Sequence, residues 1–465
     1  MNFASAIFWQ NLGICTGISF VLLFFLAKFR PNHVISAGKL FLGITGIVLL
    51  VSESLVTLLS FIWVVSFGWI AVLMLGRESR RFVIIPLLLQ LAPLVYFKYW
   101  HFFLSGVLDI EGTSPSLLIP MGLSFYTFQT IAFCVDSRAE GFSRPSFLDY
   151  WNFSSFFPQI VAGPIERRSA LLPQIENFRF NISRSDIEPA LRWIVLGLFF
   201  KMALADNLGL IFEGLKIDLN NAYHIWFEAF VFSFRIYFDF AGYSMVALGL
   251  GRLFGVKLTL NFLSPYFSRN IKEFWRRWHV SLSSWLRDYV YFPIGGNRRG
   301  YWFVNVLIVF IVSGIWHGAG WGFIIWGFLH GIGVVFVSQN RGVCLPKALG
   351  TIVTFIFVTF TWIFFYERDS SLIQGKVLAV CDLRHYGREA ILALPKIFGS
   401  GSDLVLALLI LGISSVVLAA EGWSARRTEL ESYDFLKKTS VQVLQIFSIV
   451  LLAPMTQSGF IYFNF

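Results

Sequence analysis

His317 lies within residues 302–340, a run of 39 residues that holds no Asp, Glu, Lys or Arg and reads SGIWHGAGWGFIIWGFLHG through its centre. An imidazole at membrane depth is costly to keep unless it is used, and Gly314 and Gly318 beside it leave room for another group to approach. An imidazole with an ordinary pKa near ~6.5 is matched to taking a proton from a hydroxyl at neutral pH, which makes His317 the first candidate for general-base chemistry. His279 falls on an aromatic stripe, where a hydrogen-bonded core histidine is the competing reading. His33, His101, His224, His330 and His385 read as structural or solvent-facing.

No Ser or Cys stands in a GxSxG context, so direct attack by a hydroxyl assisted by His317 is preferred to a Ser-based triad. Ser313, one helical turn before His317, reads as packing. Asp239 in IYFDFAGY, Asn261 and Trp316 are polar or amphipathic groups that could line a path to the imidazole. A charge as deep as Asp239 must be paired or face water. Asp206 beside Asn207 reads as a helix cap or a partner for Lys201. Cys15, Cys134, Cys344 and Cys381 show no CxxC or CxxH spacing, so neither a zinc site nor a disulfide framework is indicated, and no bound metal or cofactor is expected.

The elements that must hold these groups are set by composition. Hydrophobic residues make up 56% of the 465 and charged residues 14%. With a mean hydropathy of +0.69, this is far from the roughly 25% charged residues of soluble domains. The expected fold is all-α, a polytopic integral membrane protein of about 11 transmembrane helices at ~20 apolar residues each. Spans are expected near 5–27, 40–58, 59–76, 82–106, 116–135, 190–213, 223–250, 302–318, 320–339, 347–366, 402–421 and 440–457. Residues 1–27 lack a basic leading region and a small-residue cleavage site, and read as a retained span. Residues 1–465 are expected to form one integral membrane domain, with no fixed-period repeat.

Lys28, Arg30, Lys39, Arg77, Arg80, Arg81, Arg426, Arg427, Lys437 and Lys438 collect in loops assigned to the cytoplasmic side, which places both termini outside. The net charge of +10 fits anchoring to anionic lipid and requires no nucleic acid.

Two segments are too polar to cross and too apolar to be loops. Residues 147–175, with Pro158, Gly163 and Pro164, read as a short interfacial or re-entrant element. Residues 265–300 read as a single amphipathic helix. Its stripe of Trp275, Trp278, His279, Leu282, Trp285 and Leu286 opposes Arg269, Lys272, Arg276, Arg277 and Arg287. Seven basic residues of this segment, Arg298 and Arg299 included, face only Glu273 and Asp288. Anchoring to lipid head groups and gripping the phosphates of a cytoplasmic donor both account for that face. For the second role Arg276, Arg277, Arg287, Trp275 and Trp278 are the candidates. GGNRRG at 295–300 lacks P-loop spacing and reads as a glycine-permitted turn.

WRRWHVSLSSWLRDYVYFPIGGNRRG followed by SGIWHGAGWGFIIWGFLHG resembles the signature of the membrane-bound O-acyltransferase family, in the bacterial branch that acetylates cell-surface polysaccharides. IPMGLSFYTFQTIAFCVD at 119–136, FFPQIVAGPIERR at 156–168 and RIYFDFAGYSMVALGLGRLFG at 235–255 agree. The resemblance is strong over residues 90–340 and at the terminal FIYFNF, and weak over 1–85 and 340–455, where only the pattern of spans agrees, the C-terminal spans 347–459 included. It implies a helical bundle with a tunnel, His317 as the catalytic histidine of the WHG motif, and His279 as the second family histidine near the same tunnel. It also implies a cytoplasmic thioester donor, acetyl-CoA or an acyl carrier.

FIYFNF places Phe460, Tyr462 and Phe465 in the FxYxxF pattern of tyrosyl acyl relays in a related surface D-alanylation system. Tyr462 is thereby a relay candidate, against the plainer reading of a terminal aromatic belt at the interface. The absence of a soluble sugar-binding domain points to a separate extracytoplasmic O-acetyltransferase partner. The reading from another class is a transporter or flippase that uses His317 and Asp239 as a proton relay.

Overall fold

The computed structural model describes residues 3–29, 34–75, 83–110, 118–138, 143–160, 163–180, 182–298, 300–340, 345–425, 433–455 and 459–461. Arg30, His33, Arg77, Arg80, Arg81, Arg299, Cys344, Arg426, Arg427, Tyr462 and Phe465, all named above, lie outside the described residues. The secondary structure of the described residues is helical, with turns and irregular segments between the helices, and they group into two compact units.

The first unit is Met1–Ile194 with Tyr243–Leu260. Its long apolar helices are α1 (Ala6–Phe29), α2 (Val34–Glu53) and α3 (Leu55–Leu75). The break between α2 and α3 falls at Ser54, earlier than the expected 58. The Ser54 hydroxyl accepts the Thr57 amide at 3.0 Å and donates to the Thr57 hydroxyl at 2.8 Å, capping α3 where apolarity alone gives no boundary. α4 (Ile84–Leu94) runs on through π-helical turns at Val95–Tyr99 and Phe103–Val107, and α5 spans Leu123–Asp136. The aromatic, proline-bearing segment 147–175 forms two short helices, α6 (Phe147–Ser154) and α7 (Arg168–Glu176). Between them Glu166 is buried, and its carboxylate accepts the Thr259 amide at 2.6 Å and the Thr259 hydroxyl at 3.1 Å.

α8 (Arg184–Leu198) continues through a π-helical stretch, Phe199–Ala205, into α9 (Asp206–Gly214). α10 (Ala222–Leu253) is the longest helix, at 32 residues. The second unit, Val195–Gly242 with Asn261–Phe465, holds the remaining helices. These are α11 (Ile271–Arg277), α12 (Val280–Leu286), α13 (Trp302–His317), α14 (Trp321–Gln339), α15 (Lys347–Tyr366), α16 (Ser370–Cys381), α17 (Gly401–Ala425) and α18 (Thr439–Leu452).

Among the described residues seven helical stretches are long and apolar enough to cross a membrane: α1, α2, α3, the run Arg184–Gly214, α14, α15 and α17. The other expected spans are shorter, as in α13 and α18, or carry charge, as α10 does through Glu228, Arg235, Asp239 and Arg252. The chain is a multi-pass helical membrane protein.

Candidate active site

α13 and α14 form an antiparallel pair whose backbones nearly touch. A methyl group at Gly314 would collide with the Phe323 carbonyl, and one at Gly327 with the Phe310 carbonyl. The space left by Gly314, and by Gly318 against the Phe323 ring, is thus filled by α14 itself. His317 is the last residue of α13 and is 2% exposed. Its ring lies 4.8 Å from that of Trp316, 5.1 Å from Trp326 on α14 and 5.2 Å from Phe365 on α15, centroid to centroid.

His279 is reached differently. The expected amphipathic helix over 265–300 is not continuous: α11 ends at Arg277, Trp278 is extended, and His279 takes φ 43°, ψ 55° before α12 begins. The left-handed conformation costs a non-glycine residue roughly 1–2 kcal/mol, and a local ladder offsets it. Leu263 donates its amide to the Arg277 carbonyl at 2.9 Å, and the Val280 amide donates to the Asn261 carbonyl at 3.0 Å. The Ser281 amide donates to Asn261 Oδ1 at 3.1 Å. Residues 261–263 thus pair with both sides of the break: Leu263 supplies a donor to the Arg277 carbonyl, and Asn261 the acceptors for the first amides of α12.

The break turns the His279 ring, itself fully buried, to 4.6 Å from Phe240 and 5.9 Å from Trp316. Both candidate imidazoles therefore flank the indole of Trp316. Aromatic contact continues from His317 through Trp326 to His330, whose ring is 4.7 Å from that indole. His330 Nδ1 accepts from Trp275 Nε1 at 3.2 Å, and its Nε2 is 2.9 Å from the Thr361 hydroxyl.

The stripe predicted for one helix face is buried even though the helix is broken, and the basic side remains accessible. Trp275 is committed to His330, and Trp278 is fully buried among Phe262, Phe274 and Trp362. Arg277 pairs with Glu273 at 3.0 Å and donates to the Leu263 carbonyl, so it braces the turn. Arg276 is exposed, as are Arg269 and Arg298, and Arg287 pairs with its neighbour Asp288 at 2.8 Å. The glycine turn has φ 119° at Gly295 and 52° at Gly296, and Asn305 donates to the Gly296 carbonyl at 2.8 Å.

Asp239 is paired, as its depth requires. Lys201 Nζ lies 2.8 Å from both Asp206 and Asp239, all three buried, and the second Asp239 oxygen accepts the Ile461 amide at 2.6 Å. A cavity of about 300 Å³ lined by Trp226, Phe227, Phe230 and Phe355 reaches neither imidazole. Sequence reasoning missed Trp326 and Phe365 as walls of the His317 site. It also missed Glu421, which accepts from the Tyr237 hydroxyl at 2.6 Å beside Tyr433, whose hydroxyl donates to the Phe262 carbonyl. An acid deep in an apolar helix, eighteen residues from Asp403 in its first turn, was the available signal for Glu421. Nothing in the sequence marked Trp326 and Phe365 among so many aromatics.

Two histidines enclosed by aromatic rings, one at a helix end and one at a helix break, define a membrane-embedded imidazole centre in a multi-pass helical protein. The chain belongs to the membrane-bound O-acyltransferase family, whose model matches residues 48–366, and it is an acyltransferase. It is 33% identical over 83% of its length to a peptidoglycan O-acetyltransferase of Helicobacter pylori, covering 83% of that protein. It is 29% identical over 84% of its length to the "Probable alginate O-acetylase AlgI" of Azotobacter vinelandii, covering 86% of it. A teichoic acid D-alanyltransferase of Streptococcus thermophilus is 28% identical over 78% of this chain and 94% of that protein.

Proposed function

We propose that the chain takes an acetyl group from a cytoplasmic thioester, acetyl-CoA or an acylated carrier protein, and passes it across the bacterial cytoplasmic membrane for O-acetylation of a cell-surface polysaccharide. The observation that carries this reading is the pair of buried imidazoles placed on either side of one indole, Trp316. The relatives' names supply the acceptor class, a cell-wall or exopolysaccharide polymer.

His317 serves as the base that removes the acceptor hydroxyl proton as the thioester carbonyl is attacked, and the thiol leaves with a proton. His279 faces the same indole and orients the reacting groups. Arg276 and the accessible part of the basic face meet the donor's phosphates on the cytoplasmic side. Tyr462 is the acyl relay: its phenol oxygen forms the ester, and an extracytoplasmic O-acetyltransferase partner takes the acetyl group from it. Lipid head groups hold the remaining basic residues, and both termini face outward.

The proton-relay alternative needs Asp239 and His317 to communicate. Asp239 pairs with Lys201 and accepts the Ile461 amide, while aromatic rings surround His317, and this favours acyl transfer. Membranes bearing the protein are supplied with radiolabelled acetyl-CoA and free CoA is followed. His317→Ala should slow release by roughly 10²–10⁴. Unchanged release in that variant rejects the assignment, and undiminished polymer acetylation in Tyr462→Phe rejects the relay.

A further inference from the structure

Lys201, Asp206 and Asp239 make a buried cluster with one positive and two negative charges. Lys201 is supplied by the π-helical stretch Phe199–Ala205, a departure from α-helical winding of the kind that re-aims side chains at functional sites. α10 comes close to that stretch at Gly242, where a Cβ would lie 2.8 Å from the Gly197 carbonyl oxygen and 3.1 Å from the Lys201 amide nitrogen. The side chains of all three charged residues are at most 4% exposed. Lys201 balances one carboxylate, so a buried surplus of one negative charge must be met by a donor.

The donor is the main chain at the end of the described structure. Ile461 gives its amide to Asp239 Oδ2 at 2.6 Å, Phe460 is fully buried with its ring 5.5 Å from Phe240, and Ile461 is 4% exposed. Phe240 is the neighbour of Asp239 and touches His279 on its other side, at 4.6 Å.

We propose that Asp239 is a positioning residue that clamps the C-terminal segment by its backbone at Ile461, with Lys201 holding the carboxylate in place. The contact is to an amide, so it fixes the chain without regard to the side chain that follows. This inference rests on the reading of Tyr462 as the relay, because its functional meaning is that Asp239 sets where the residue after Ile461 begins.

The clamp and the relay are tested separately on the purified full-length chain. Carboxypeptidase trimming past Ile461 reads the clamp, and acetyl transfer reads the relay. Asp239→Ala should be trimmed roughly tenfold faster or more, the loss expected for a hydrogen bond to a charged acceptor, with transfer falling while the KM for acetyl-CoA holds. Asp239→Asn keeps an acceptor oxygen and should restore protection. Asp206→Asn alters the same ion cluster away from Ile461 and should be trimmed at the wild-type rate.

Wild-type trimming in a folded, monodisperse Asp239→Ala overturns the clamp. Equal release in Asp206→Asn also overturns it, by showing general loosening. Tyr462→Phe should stay protected while losing transfer; protected and fully active, it would remove the relay and leave the clamp standing.

Discussion

Asn261 holds Ser281 across the helix break: its Oδ1 accepts the Ser281 amide at 3.1 Å while its own carbonyl accepts from Val280. These are two of the amides that the start of α12 would otherwise leave without acceptors. Asn261 is itself fully buried, so water cannot substitute for it. Replacing it with Ala should cost about 0.5–2 kcal/mol, as for other helix caps, and should lower acetyl transfer by letting the His279 turn relax. Asn261→Asp keeps the acceptor and should lose less of both. Thermal unfolding and CoA release on the same preparations check this.

His279 occupies a left-handed conformation that Asn tolerates better than Ala. His279→Asn should therefore remain close to wild type in melting temperature and lose activity, whereas His279→Ala should lose both. A variant that is stable and fully active would show that the imidazole at this position contributes nothing to transfer.

The α13–α14 contact is a backbone-to-backbone approach at Gly314 and Gly327. Gly327→Val places two methyl groups against the Phe310 carbonyl and should destabilise by about 1–3 kcal/mol through overpacking. Because the same contact sets where Trp326 meets His317, activity at temperatures below unfolding should fall as well. Thermal shift and transfer assays separate the two effects.

Burial pushes the Glu166 carboxyl up to about 7, against the opposing hydrogen bonds from Thr259 and the charge of Arg167. A carboxyl whose folded pKa exceeds its unfolded value binds more protons when folded, so stability falls as pH rises from about 4.5 to about 7. Melting temperatures measured across that window should decline in the wild-type protein, and Glu166→Gln should flatten the slope.

Composition and the length of the apolar runs made the helical membrane architecture legible, because 14% charged residues is far below the roughly 25% of soluble domains and the runs are about 20 residues long. The two histidines were legible because their surroundings were unusual for a polar ring. The single helix drawn through 265–300 was wrong for a definite reason: periodicity reports which residues are apolar, and Trp275, Trp278, Leu282 and Trp285 are buried on either side of the break. The groups that replace helical bonding, the acceptors of Asn261 and the amide of Leu263, lie outside the segment, and no local pattern announces them. Lys201 was paired with Asp206 from proximity in sequence, but its second partner, Asp239, comes from another helix and was beyond that argument.

The aromatic enclosure of His317 bears on fidelity. A base able to activate a hydroxyl would activate water equally well, and a thioester exposed to both would be lost to futile hydrolysis on the side where it is made. On the proposed reading of His317 as that base, the packing of Trp316, Trp326 and Phe365 around its buried ring leaves little room for water, which would keep the donor's energy for the acceptor.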